Sequence, residues 1–112
     1  MESEALILRE TSALVQKDFD LDYIPNDVTE AELLDFLQRF IKDLLDNDMK
    51  KLFYVLYRLD IDEAKVHAVL SPLAIEPPHE QLAALIFQRE KQKATTRIMY
   101  NSDEVDEDVS PW

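Results

Sequence analysis

The stretch "VTEAELLDFLQRFIKDLLDNDMKKLFYVLYRL", residues 28–59, decides the fold. Thr29 and Glu32 have the spacing of a capping box, in which each side chain satisfies the other's free main-chain N–H. Val28 and Leu33 occupy the hydrophobic-staple positions around that cap. Leu33, Leu34, Leu37, Phe40, Ile41, Leu44 and Leu45 then recur at helical spacing, so residues 29–46 are predicted to form an amphipathic helix. Asp35, Arg39 and Asp43 stand four apart on its polar face as successive opposite charges. Asn47 is expected to cap a second helix over 48–59, whose centre from Leu52 to Tyr57 is apolar or aromatic all round. Such a helix is either central to a bundle or hides one face against a partner.

Working outward, Asp62 is placed to cap a third helix to Leu70, with Ile61 stapling onto Val66 and Pro72 as a stop. SPLAIEPPHE, residues 71–80, reads as a proline-rich connector. A last helix is expected from about His79 to Met99. Its first half packs through Leu82, Ala83, Leu85 and Ile86, and its second half, REKQKATTR, is polar and basic. Residues 4–17 admit two readings. Ile7 with Leu14, and Leu8 with Val15, have helical spacing, whereas ALIL would suit a short strand; helix is the expectation. NSDEVDEDVSPW, residues 101–112, lacks the apolar content to offset its ordering entropy and is expected to be a disordered acidic tail. The predicted fold class is all-α: a compact bundle of four to five helices, with a single domain over residues 1–100 and the tail beyond it.

Composition narrows function by exclusion. The net charge is −12 over 112 residues, which argues against free nucleic acid and anionic membranes as partners. The charge is concentrated at the ends: −5 over residues 1–28, −2 over 29–100 and −5 over 101–112. There is no cysteine, hence no disulfide or thiolate chemistry, which suits a reducing, cytoplasmic setting. The first ten residues, MESEALILRE, lack the basic start of a secretory signal, and no apolar run nears the ~20 residues that span a bilayer. Glycine is absent as well. Phosphate loops, dinucleotide fingerprints and nucleophile elbows all need it, so none is present.

The candidate chemistry is thin. Asp18, Asp20 and Asp22 match positions 1, 3 and 5 of a calcium loop, and Asn26 suits position 9. Tyr23 then stands where the loop needs glycine, Pro25 at position 8 and Thr29 where it needs a bidentate glutamate. We therefore reject the three aspartates as metal ligands and read a connector, with Phe19, Leu21, Tyr23 and Ile24 docked on the core and the aspartates in water. Glu63 with His67 offers two ligands and no clear third; Glu76 and His79 are separated by two prolines. No spacing ties Ser12, Ser71, Thr95, the histidines and the carboxylates into a triad. No enzyme activity, cofactor or small-molecule substrate is expected.

Two groups remain as candidates for binding a partner. Arg89, Lys91, Lys93 and Arg97 complement the C-terminal end of a helix dipole in the plain reading. In the sharper one they form a basic helix, masked by the acidic tail until nucleic acid or an acidic partner displaces it. Tyr54 and Tyr57 are expected in the core, since aromatic residues contribute most to small cores; if they lie in water they are the first interface candidates.

LLDNDMKKLFYVLYRLDIDEAKV and the later QLAALIFQREKQKATTR, within residues 30–98, resemble small all-helical bacterial proteins of uncharacterised function, chiefly through the phrase LYRLDIDEAKV. The resemblance implies a helical fold and a bacterial cytoplasmic setting, and carries no substrate or site. The expected function is a non-catalytic protein–protein interaction or regulatory module, with a protein partner or a second copy bound. The alternatives are the tail-regulated binder built on Arg89, Lys93 and Arg97, and weak calcium or metal binding.

Overall fold

The computed structural model describes residues 2–21, 24 and 27–102. Among them are five helices and no strand: α1 (Glu2–Asp18), α2 (Glu30–Asn47), α3 (Met49–Arg58), α4 (Glu63–Leu70) and α5 (Pro78–Ser102). Residues 4–17 are helix, as expected. The acidic tail lies outside the described residues from 103 onward.

The start of α2 carries its full capping box: Thr29 Oγ1 accepts from the Glu32 N–H at 3.1 Å, and Glu32 Oε1 accepts from the Thr29 N–H at 2.9 Å. The junction with α3 differs from expectation. Asp48, not Asn47, is the cap, accepting from the Lys51 N–H at 3.1 Å while its own N–H closes α2 on the Leu44 carbonyl at 2.7 Å. One residue thus ends one helix and starts the next. Asn47 stays in α2 and donates to Asp43, so Arg39 pairs with Asp35 alone. Asp62 caps α4 by accepting from the Ala64 N–H at 2.9 Å. Pro78 opens α5, where its missing N–H costs nothing.

A chain without glycine must still stop its helices. Asp20 (φ 58°) and Asp60 (φ 61°) take the left-handed conformation just past α1 and α3. Leu21 N–H bonds to Gln16 O and Asp20 N–H to Lys17 O, at 2.9 and 3.2 Å. Ile61 N–H bonds to Leu56 O and Asp60 N–H to Tyr57 O, at 3.1 and 3.0 Å. Each set is a complete Schellman stop with aspartate in glycine's usual place. The side chains that follow, Leu21 and Ile61, pack against the core.

α5 runs through the middle of the bundle, packing on α1, α2 and α4, while α3 packs on α2. Phe19, Leu33, Leu37, Ile41, Leu52, Leu59, Leu82 and Ile86 are the largest fully buried apolar side chains. Phe19 meets Phe40 edge-on with ring centres 5.3 Å apart, anchoring the connector after α1. Ile24 is buried too, its N–H held by Gln16 Oε1 at 3.2 Å; Tyr23 lies outside the described residues. The polar second half of α5 is partly covered by α1: Glu90 and Ala94 are completely buried, as is Thr11 on α1. No described helix is long and apolar enough to cross a membrane.

Candidate interaction surface

α3 divides cleanly into two faces. Leu52, Val55 and Leu56 point into the core. Met49, Phe53 and Tyr57, spaced four apart, form a line on the outer side, with Tyr54 beside it. Phe53 is 44% exposed, Tyr54 59% and Tyr57 82%. The expectation that both tyrosines pack in the core is therefore corrected. A ten-residue helix lying chiefly on α2 has room for a single buried stripe, and Leu52, Val55 and Leu56 fill it. Arg58 lies over the Tyr54 ring at 5.7 Å, so a cation stands beside the aromatic face.

The bases of α5 are engaged inside the fold. Arg89 Nε donates to the Leu59 carbonyl at 2.8 Å and its Nη1 to Gln92 Oε1 at 2.9 Å. Lys93 Nζ donates to Asp18 Oδ2 at 3.2 Å and lies 3.8 Å from Glu90 Oε1. Arg97 pairs with Glu10 at 3.3 Å, and Lys91 sits over the Phe87 ring at 5.9 Å. Lys93 and Arg97 tie α5 to α1 and Arg89 ties it to the end of α3, while Lys91 lies over a ring of its own helix.

Two of the three aspartates of the rejected calcium loop are among the described residues. Asp18 ends α1 with its side chain only 10% exposed against Lys93, contrary to the expectation that it stays in water. Asp20 is exposed at the left-handed stop, and Asp22 lies outside the described residues. No group of three or more histidine, aspartate or glutamate side chains among the described residues is placed to hold a metal.

Sequence reasoning missed two features. Glu90 continues the buried stripe of Ala83, Ile86, Phe87 and Ala94, which was the available signal for its burial. Its carboxyl group is pushed up to about 8, first by desolvation, then by a hydrogen bond with Asp18 and that group's charge, against the opposing charges of Lys93 and Arg89. The connector after α4 holds the second: Leu73 and Ile75 are 88% and 97% exposed in a turn closed by Ala74 N–H on Ser71 O at 3.0 Å. Ser71 Oγ also accepts from the Leu73 N–H at 3.0 Å.

No protein-family model, curated protein or solved structure matches the chain.

Proposed function

We propose that the protein is a non-catalytic protein–protein interaction module of the bacterial cytoplasm, and that the outer face of α3 is its binding surface. The observation that carries this reading is the exposure of Phe53, Tyr54 and Tyr57 together on one ordered helix. Single exposed apolar residues are ordinary on protein surfaces, whereas clustered aromatics on a rigid element are the usual anchors of an interface. Tyrosine suits that role because it buries a large ring, keeps a polar tip and loses little rotamer freedom. The occupant is a protein partner or a second copy of the chain. The basic-helix alternative has less support, since Arg89, Lys93 and Arg97 already have partners within the fold.

The test compares wild type with a Tyr54→Ser/Tyr57→Ser double variant. A partner should co-purify from native extract with the wild type and be lost with the variant. If the partner is a second copy, light scattering at micromolar concentration should show a dimer that the variant abolishes. Equal recovery of every bound protein, together with a monomer in both forms, would sink the reading.

A further inference from the structure

Among the described residues Glu90 is the largest buried polar side chain, and it stands at the seam between α5 and α1. Three charged groups act on it. Asp18 faces it from α1, and Arg89 and Lys93 flank it on α5; no charged group of α2 or α4 is among its determinants. Arg89 turns its head to the Leu59 carbonyl and Gln92. Lys93 is within hydrogen-bond distance of Asp18 but not of Glu90. The seam therefore brings together two carboxyl groups and one close ammonium. With Glu90 ionised, neither of its buried oxygens has a donor. With Glu90 protonated, its O–H donates to Asp18, which Lys93 also serves.

We propose that the α1–α5 seam is a proton-operated latch: a proton held between Glu90 and Asp18 keeps α1 on α5, and its loss to solvent releases α1. Beside the buried Val15 and Phe19, the small side chains of Thr11 and Ser12 on α1 and Ala94 on α5 are also buried. Thr11 spends its hydroxyl on the Ile7 carbonyl at 2.6 Å, within α1 itself, so it does not tie the helices together. Asp18 with Lys93, and Glu10 with Arg97, are polar ties across the two helices. A second negative charge beside Asp18 competes for Lys93 and leaves an uncompensated anion in a dry seam, which opening to water relieves. Release uncovers Val15 and Phe19 and the facing side of α5.

The experiment follows amide hydrogen exchange of α1 and α2 in the full chain from pH 5 to 8, corrected for intrinsic rates. Protection of α1 should fall by up to roughly tenfold per pH unit across this range, because opening releases one proton, while α2 changes less. Glu90→Gln, which keeps a donor toward Asp18 but cannot ionise, should flatten the α1 profile. Carbon-13 resonances of the glutamate carboxyls in the wild type give a readout that needs no variant: one should titrate above neutrality, in step with α1 exchange. An α1 profile that is flat in the wild type, or that falls equally in Glu90→Gln, overturns the latch. So does a set of glutamate carboxyls that all titrate in the ordinary range.

Discussion

Arg89 donates its Nε–H to the main-chain carbonyl of Leu59 over 2.8 Å, tying the middle of α5 to the end of α3. Leu59 is the residue on which α3 stops, so its carbonyl has no helical partner of its own. The same guanidinium reaches Gln92, which fixes its plane. Arg89→Met should destabilise the fold by about 1–3 kcal/mol, the usual worth of a hydrogen bond to a charged group. Arg89→Lys should recover only part of this, since an ammonium lacks the planar fork that serves both acceptors. Urea unfolding with an unchanged slope and a lower midpoint is the expected signature. A midpoint unchanged in Arg89→Met would mean that the bond contributes nothing to stability.

The two left-handed aspartates give a second prediction. Asp60→Val should cost roughly 1–2 kcal/mol, because a β-branched side chain meets the following carbonyl at positive φ. Asp60→Gly should be neutral or stabilising by up to about 1 kcal/mol, since glycine takes that conformation without steric cost and loses only chain entropy. The ordering Gly at or above Asp, and Asp above Val, is the outcome to check by thermal or urea unfolding. Val as stable as Asp would remove the physical basis given for the Schellman stop.

The same aspartates show where the sequence was legible and where it was not. The cap at Thr29, the stripe of α2 and the helix-by-helix order follow from periodicity and capping chemistry, which are local. The stops were hidden because their usual marker, glycine, is absent. Phe19-Asp20-Leu21 and Leu59-Asp60-Ile61 are the same device used twice: an apolar cap, a left-handed aspartate and an apolar residue that closes on the core. Read alone, the first copy has the alternating acids of a calcium loop; beside the second it is a helix terminator. The long-range pairs were not legible. Nothing local says that Lys93 meets Asp18, 75 residues away, or that Arg97 meets Glu10. The same blindness made α5 look like a free basic helix, when Arg89, Lys93 and Arg97 have partners within the fold. Tyr54 and Tyr57 were misplaced for a related reason: the burial of an aromatic depends on how many neighbours its helix has, which periodicity does not report.

Tyr57 should be nearly silent in stability. At 82% exposed it has little packing to lose, so Tyr57→Ser should change unfolding free energy by no more than about 0.5 kcal/mol. Leu37→Ala, at a fully buried position of α2, should cost about 2–5 kcal/mol in the same assay. This contrast makes the tyrosines useful probes, because a binding defect in Tyr54→Ser/Tyr57→Ser then reflects the surface and not the fold. A large loss of stability in Tyr57→Ser would place the ring in the core after all.

Global stability should carry the imprint of Glu90. Its folded-state value of about 8 lies above its unfolded value of 4.5, so between these the folded chain holds a proton that the unfolded chain has given up. For this carboxyl, stability is therefore fully present below about pH 4.5, declines as pH rises through the interval, and is lost above about 8. The sign is opposite to that of a salt-bridged carboxylate, whose contribution disappears on acidification. Glu90→Gln removes the titration while nearly preserving shape. Relative to wild type, the variant should gain stability steadily from pH 5 to 8 and hold a constant advantage above that. Paired urea titrations across this range read the difference directly, and general charge repulsion in the rest of a −12 chain affects both forms alike. A difference that stays constant with pH would mean that Glu90 is charged in the folded protein throughout, and that Lys93 offsets its burial without help from a proton.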